Sequence, residues 1–258
     1  MYDSKTIWEK MCVEAEELCK MEPEMAHVFK SHVLQHCNFS EAIIASLALQ
    51  LRNSFFASKD ICGVFREAIQ TEPLITDSFC LDLQAYLERD AACDRLITPL
   101  IFFKGFKALQ LHRMSHWLWC QGRRFLALSL QSEMSREYFV DIHPGASIGS
   151  GIMLDHATGL VIGETAVVGN NVSILHSVTL GGIGSGSGDR HPKIDSGVLI
   201  AAGVKILGNI HIGEGVKIGA GSLVLESVDP YLTVAGVPAK VVGGNRKGSP
   251  ALEMDQNI

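Results

Sequence analysis

The side chains that could do acid–base chemistry are concentrated in the second half of this sequence. Five histidines lie there, namely His143, His156, His176, His191 and His211. An imidazole titrates near pH 7, so each of them could move a proton or bind a metal. The seven cysteines all fall within the first 120 residues and show neither a C-x-x-C motif nor zinc-site spacing. The pattern therefore indicates acid–base chemistry, and no metal is implied.

A six-residue repeat must position these side chains. Aliphatic residues occupy two six-residue grids, one from Ile142 through Leu154 and Leu160 to Val178 and one from Ile194 to Val224. Such a hexapeptide repeat is typical of a parallel β-helix, in which each hexad forms one short strand and one turn. Three hexads make one coil of a triangular prism, so the repeat predicts coils of about eighteen residues.

The two grids are separated by a segment that breaks the repeat. Its core, GSGSGDRHPK, spans residues 184–193 and carries Arg190 and His191. It is either a tolerated surface insertion or an active-site loop. Because a prism wall is flat, a pocket needs a projection, and this favours the active-site loop.

Glycine divides the chain into two parts. Residues 1–140 contain three glycines, and residues 141–258 contain the other twenty-two. Apolar residues of the first part recur at helical spacing, and residues 100–130 predict a long amphipathic helix broken near Gly122. We therefore predict a helical domain over 1–138, a β-helix domain over 139–243 and a flexible polar tail over 244–258. The predicted fold class is α + β.

Composition excludes several classes of protein. The chain is 47% hydrophobic and 19% charged, which excludes a disordered protein. No stretch approaches about 18 apolar residues, and the N-terminus resembles neither a signal nor a transit peptide, so we expect no membrane partner. A net charge of −6 argues against a nucleic-acid partner. An odd number of irregularly spaced cysteines indicates reduced thiols and a cytoplasmic protein.

Several motifs resemble the serine acetyltransferases, a family of hexapeptide-repeat acyltransferases. In the second half they are VDIHPGASIGSGIMLDHATGLVIGETAVVG, SVTLGGIG, GDRHPKI, ILGNIHIGEGVKIGAGS and AGVPAKVVG, and in the first half RDAACDRLITPLIFFKGFKALQLHRMSHWLW. The similarity covers nearly the whole chain. It implies an all-helical N-terminal domain followed by a left-handed parallel β-helix with one extruded loop. It also implies acetyl transfer from acetyl-CoA to the hydroxyl of L-serine, giving O-acetyl-L-serine and CoA for cysteine biosynthesis.

The resemblance assigns the catalytic roles to two residues. His156 of LDHATG would be the general base that takes the serine proton during attack on the thioester. Asp141, fifteen residues earlier, would orient the imidazole from nearly one coil away and stabilise the imidazolium. No enzyme nucleophile is required, so the transfer would be direct within a ternary complex.

The resemblance also assigns the binding residues. Arg190 and His191 would bind the serine carboxylate, and Asp155 and Asp90 its ammonium group. Coenzyme A would run along a groove lined by four small residues, Gly182, Ala202, Gly203 and Ala220. Its phosphates would meet Lys217. Lys205 is an equally basic neighbour of Lys217.

The family further implies partners. Its members form homo-hexamers, each a dimer of trimers with active sites between prisms, and are commonly inhibited by L-cysteine. Their C-terminal isoleucine, here Ile258, inserts into cysteine synthase, whose substrate a terminal carboxylate can mimic.

Two alternatives stay open at this point, and the histidine spacing does not support a third. A hexapeptide acetyltransferase could act on another small hydroxyl acceptor, such as a sugar, but the helical half and the DRHPK segment do not resemble those enzymes. A non-catalytic scaffold could bind cysteine synthase through the tail, but it would not need Asp141 and His156. A γ-class carbonic anhydrase would need two zinc-binding histidines five residues apart, a spacing that no pair of the five has.

Overall fold

The computed structural model describes residues 3–51, 58–184, 186–244 and 249–257. The chain divides into two compact units, Met1–Lys107 and Ala108–Ile258. Our predicted boundary at 138/139 marks the change from helix to strand, since a helix ends at Tyr138 and a strand begins at Val140. The compact units divide earlier because the last two long helices contribute to the second unit.

The first unit is helical, as the apolar spacing predicts. Its helices are α1 (Ser4–Met21), α2 (Ala26–Phe29), α3 (Phe39–Gln50), α4 (Ser58–Thr71), α5 (Leu74–Arg89) and α6 (Ile97–Phe102), with a 3-10 turn at Pro23–Met25 and a π turn at Lys30–Leu34. Side-chain caps fix two helix starts: Asp3 Oδ1 accepts from Thr6 N at 2.7 Å, and Asn38 Oδ1 accepts from Glu41 N at 3.0 Å.

Two further helices lead into the strands. The first, α7 (Lys104–Cys120), begins in the first unit and continues into the second, where α8 (Arg124–Tyr138) follows it. The break between them contains Gly122 at φ +75°, a left-handed conformation that glycine adopts without strain. The predicted break near Gly122 is thus confirmed.

The rest of the second unit is a left-handed parallel β-helix of about five turns, which confirms the predicted fold class. Its strands form three sheets. The first sheet contains β1 (Val140–Ile142), β4 (Leu160–Ile162), β7 (Thr179–Gly181), β10 (Lys205–Leu207) and β13 (Leu223–Val224). The second contains β2 (Ser147–Ile148), β5 (Val167–Val168), β8 (Lys193–Ile194) and β11 (His211–Ile212). The third contains β3 (Met153–Leu154), β6 (Ser173–Ile174), β9 (Leu199–Ile200), β12 (Lys217–Ile218), β14 (Leu232–Gly236) and β15 (Ala239–Gly244).

The strand register corrects one of our two six-residue grids. Where the repeat is regular, paired residues lie eighteen apart, as Val161 and Thr179 do. In the first coil, however, Ile142 pairs with Ile162, twenty residues away. The turn before β4 therefore holds two extra residues, and our first grid is out of phase from Leu160 onwards. The repeat hid this shift because Leu160 and Ile162 are both buried.

The extruded loop is confirmed and lengthens another coil. Val167 pairs with Lys193, twenty-six residues away, so eight residues are added between β7 and β8. These residues leave the wall at one corner of the prism, between the first and second sheets. We call the turns there the loop corner: residues 143–146, 163–166, 182–184, 186–192 and 208–210.

Both ends of the β-helix are covered. Helix α8 packs against β1, where Gln131 Nε2 donates to Asp141 Oδ1 at 2.6 Å. At the other end, β15 pairs with β14 antiparallel, in contrast to the parallel pairing of every coil.

The predicted flexible tail differs from the structure over residues 249–257. A short helix, α9 (Pro250–Glu253), lies against the third sheet, where Ser173 Oγ donates to Ala251 O at 2.8 Å. Ala251 is fully buried. The polar composition of the tail gave no sign of this apolar contact.

None of the seven cysteines, all of which the structure describes, forms a disulfide bond. Among the described residues there is no cluster of side chains suited to a metal ion, and no helix has the length and apolar character needed to cross a membrane.

Candidate active site

His156 lies in the lengthened turn before β4. His156 and Ala157 both have left-handed backbone, at φ +55° and +57°, within the turn that holds the two extra residues. The imidazole is 73% exposed, and its Nε2 lies 3.7 Å from Asp155 Oδ1. Left-handed backbone is costly for residues other than glycine and is found most often at functional turns. The turn thus presents a histidine to solvent with a carboxylate beside it.

A second histidine supports this turn from the next coil. The rings of His156 and His176 meet edge to face, with centroids 5.8 Å apart. The Nδ1 atom of His176 is buried and has no hydrogen-bond partner among the described residues. His176 therefore packs under His156 as a wall residue.

Three of the predicted coenzyme A residues lie in the same corner of the prism. We call it the His156 corner: residues 155–159, 175–178, 201–204 and 219–222, which link the third sheet to the first. Successive turns are joined there by hydrogen bonds from Gly203 N to His176 O at 3.0 Å and from Gly221 N to Ala202 O at 2.8 Å. Ala202, Gly203 and Ala220 thus form a path of small residues that starts beside His176.

Lys217, for which a phosphate contact is predicted, has partners within the chain in this structure. Lys217 is only 9% exposed, and its Nζ donates to Asp255 Oδ2 at 3.1 Å and to Asn257 O at 2.5 Å. The repeat places this residue on β12 correctly, but it does not show that the tail covers it. Lys205 is bonded as well, through Nζ to Ser177 O.

Arg190 and His191 lie together at the loop corner. The Arg190 guanidinium donates to Glu164 Oε2 at 2.7 Å, and this contact lowers the pKa of the Glu164 carboxyl. The His191 ring lies above Gly163 and is almost buried. Gly182, a predicted coenzyme A residue, lies against these two side chains and not in the His156 corner.

Thr165 holds His191 in place. Thr165 N donates to His191 Nδ1 at 3.2 Å, and the Thr165 hydroxyl lies 2.9 Å from the same nitrogen. Burial, followed by the charges of Arg190 and Lys193, lowers the pKa of His191. At neutral pH the ring is therefore uncharged, with Nδ1 as the acceptor.

Asp141 makes no contact with His156 within the described part of the chain. It is half-buried in β1, and its carboxylate accepts the hydrogen bond from Gln131. The fifteen-residue offset suggested a near neighbour because we assumed an eighteen-residue coil, whereas the first coil has twenty residues. The corner is nevertheless tied to this strand, since Gly159 N donates to Phe139 O at 2.8 Å.

The other two predicted site residues lie elsewhere. Asp90 follows α5 in the first unit, and its Oδ1 accepts from Ala92 N at 2.9 Å. Ile258 lies outside the described residues.

Sequence reasoning missed three residues of the loop corner. Gly163 makes room for the His191 ring. Glu164 binds Arg190, and Thr165 binds His191. All three lie in the motif VIGETAVVG, where the polar pair Glu-Thr interrupts an aliphatic hexad. That interruption was the available signal.

Two family models match the chain. "Serine acetyltransferase, N-terminal" matches residues 7–111, and "Bacterial transferase hexapeptide (six repeats)" matches residues 191–226. The serine acetyltransferase of Escherichia coli strain K12 is 51% identical over 98% of this chain and 92% of its own length.

Solved structures agree with this. A serine acetyltransferase crystal structure from Vibrio cholerae O1 biovar El Tor N16961 superposes with a TM-score of 0.97 at 47% identity, covering 99% of each chain. A serine acetyltransferase complex with cysteine gives 0.95 at 48% identity over 98% of each chain. A complex with coenzyme A from Brucella abortus strain S19 gives 0.91 at 47% identity, covering 93% of this chain and 96% of that one. The chain belongs to the serine acetyltransferase family.

Proposed function

We propose that the protein transfers the acetyl group of acetyl-CoA to the hydroxyl of L-serine, with His156 as the general base. One observation carries the proposal: the exposed His156 imidazole, beside Asp155, stands at the start of the small-residue path along the His156 corner. A neutral imidazole matches the task of taking a hydroxyl proton near pH 7.

The proposed reaction transfers the acetyl group directly from the thioester to serine, so it needs no nucleophile from the enzyme. The serine oxygen forms a bond to the thioester carbonyl carbon as the imidazole takes its proton. When the tetrahedral intermediate collapses, the carbon–sulfur bond breaks, and the imidazolium returns the proton to the leaving thiolate. The products are O-acetyl-L-serine and CoA.

Serine needs charges of both signs, and they lie at two different corners of one prism. Asp155 beside His156 suits the ammonium group, whereas Arg190 and His191 suit the carboxylate. The first sheet separates these corners, so one chain cannot enclose a molecule as small as serine between them. We therefore propose that the His156 corner of one prism faces the loop corner of a neighbour in a trimer, and that two trimers form the hexamer. Asp90 would complete the site in that assembly.

The path of Ala202, Gly203 and Ala220 supports a binding groove for the pantetheine arm of acetyl-CoA. Small side chains let an extended ligand approach the backbone closely. Lys217 is proposed to meet the phosphates, in exchange for its bonds to Asp255 and Asn257.

A single assay tests the function. Thiol release from acetyl-CoA should require L-serine and should not occur with sugars or without an acceptor. Release with a sugar alone would favour an acetyltransferase of another class, and no release with any acceptor would favour the scaffold that binds cysteine synthase.

We propose that Asp141 orients His156 in the assembled enzyme, and comparison with Asp155 tests this. Asp141→Asn should lower kcat by about 10- to 1,000-fold with little change in the KM for serine, because an orienting carboxylate acts on the transition state. Asp155→Asn should mainly raise the KM for serine, since it loses an ammonium contact. If Asp155→Asn instead loses kcat while Asp141→Asn keeps it, Asp155 is the orienting group.

We propose that the C-terminal tail binds cysteine synthase through Ile258. Deleting Ile258 should abolish capture of cysteine synthase in a pull-down while acetyl transfer to serine continues at the normal rate. Extension of the chain by one glycine is the matched variant, because it moves the terminal carboxylate away from the isoleucine. Unchanged capture by both variants would contradict the proposed contact.

We further propose that L-cysteine inhibits the enzyme by occupying the serine site, which the relative solved with cysteine supports. Saturating serine should then relieve the inhibition. We also propose a cytoplasmic location, which the lack of disulfide bonds among the seven described cysteines supports.

A further inference from the structure

We propose that Thr165 is a positioning residue that keeps the proton of His191 on Nε2, so that this nitrogen donates to the acceptor substrate. The inference rests on the proposed function, in which Arg190 and His191 bind the carboxylate of serine. It concerns how the fold prepares that pair of side chains before a substrate arrives.

Thr165 uses every polar atom it has on the returning loop. Its hydroxyl oxygen accepts from Arg190 N at 3.0 Å and from His191 N at 3.1 Å. Its carbonyl accepts from Lys193 Nζ at 2.6 Å. Three residues at the end of the extruded loop, Arg190, His191 and Lys193, are therefore bonded to the preceding coil through Thr165 alone.

The contact between main chain and ring determines the tautomer. Thr165 N–H donates to His191 Nδ1, so this nitrogen must be unprotonated. The hydroxyl proton has two acceptors in reach, Nδ1 and the carboxylate of Asp189, whereas the main-chain N–H is aimed at Nδ1. A neutral imidazole with Nδ1 as acceptor carries its proton on Nε2.

The Nε2 atom is available to a ligand. Among the described residues it has no hydrogen-bond partner, and it lies over the bare backbone of Gly163. A Cβ atom added to Gly163 would lie 2.0 Å from Nε2, so only glycine at position 163 admits the ring. The arrangement leaves an N–H donor beside the Arg190 guanidinium, which together suit the two oxygens of a carboxylate.

Three variants test this inference. Thr165→Val removes the hydroxyl and keeps the branched shape, and Thr165→Ser restores the hydroxyl. Ser196→Ala is the matched control, because Ser196 Oγ accepts from Asn170 N at 3.0 Å across the same two coils but contacts no proposed site residue. Valine keeps the main-chain N–H but loses the hydroxyl that accepts from Arg190 N and His191 N, so the ring is no longer held over that N–H. We therefore expect Thr165→Val to raise the KM for serine about tenfold, the effect of one lost hydrogen bond in this environment. The KM for acetyl-CoA should change less than about twofold, and Thr165→Ser and Ser196→Ala should resemble the wild type.

A wild-type KM for serine in Thr165→Val, or equal damage in Thr165→Ser, would overturn the inference. A second readout does not depend on activity: the 15N chemical shifts of His191, assigned by their absence from His191→Gln. We expect a protonated Nε2 and a hydrogen-bonded, unprotonated Nδ1 in the wild type, with the Nδ1 shift displaced in Thr165→Val. A proton on Nδ1 in the neutral wild-type ring overturns the inference whatever the activity. Failure of the proposed function differs from both, because serine would then release no thiol even in the wild type.

Discussion

Replacing His156 by asparagine is expected to lower kcat for acetyl transfer by about 10²- to 10⁴-fold, the usual contribution of a positioned general base. Asparagine retains a polar side chain that the exposed, left-handed turn accommodates, so the fold should be unaffected. The KM values for serine and acetyl-CoA should change little, because the base acts in the transition state. Initial rates of thiol release measured against both substrates check this.

His211→Asn is the matched control for this experiment. His211 is another exposed histidine of the β-helix wall, with Nε2 2.8 Å from Asp195 Oδ1, a closer pairing than that of His156 with Asp155. It lies on β11, away from the His156 corner. Its loss should leave kcat unchanged. Similar rates for the two variants would contradict a catalytic role for His156.

Replacing Gly163 by alanine is expected to raise the KM for serine by about 10- to 100-fold. The new Cβ would fall 2.0 Å from His191 Nε2 and 2.1 Å from Cδ2, so the ring must leave its place. The ring then loses its contacts with Thr165, and its charge-assisted bond to a carboxylate goes with them; such bonds contribute about 1.5–3 kcal/mol each. Because the His191 ring is proposed to bind the carboxylate and not to take the hydroxyl proton, the fold decrease in kcat at saturating serine should be smaller than the fold increase in KM.

Gly186→Ala is the matched control within the extruded loop. A Cβ at Gly186 meets no atom within 4 Å, so this variant should keep wild-type kinetics. The thermal unfolding midpoint of Gly163→Ala should also be compared with those of Gly186→Ala and the wild type, to separate a local effect on the ring from a loss of fold stability. A normal KM for serine in Gly163→Ala would show that the His191 ring does not bind the acceptor.

The repeat predicted the β-helix and the extruded loop because an aliphatic residue every six positions has few other structural solutions. It did not predict the phase of the second coil, since Leu160 and Ile162 are both apolar and both buried. The two-residue excess at His156 therefore became visible only through the register of β1 and β4. The same excess changes the coil length on which the expected proximity of Asp141 and His156 was based.

Neighbours in sequence were predicted better than neighbours in space. Arg190 and His191 are brought together as expected, and Asp155 lies beside His156. The bonds of Lys217 to the tail could not be predicted, because a repeat fixes where a strand residue lies but not which distant segment covers it. Thr165 was missed for the same reason, since its partners come from the following coil.

The antiparallel pairing of β15 with β14 changes the edge that the third sheet offers along the prism axis. Parallel coils end in an open row of backbone donors and acceptors that a second copy could extend, as happens in fibrils. Here the final strand reverses direction, and α8 packs against β1 at the opposite end. A second copy stacked head to tail on the β15 end would therefore meet β15 antiparallel, and not in the parallel register that joins the coils within this chain.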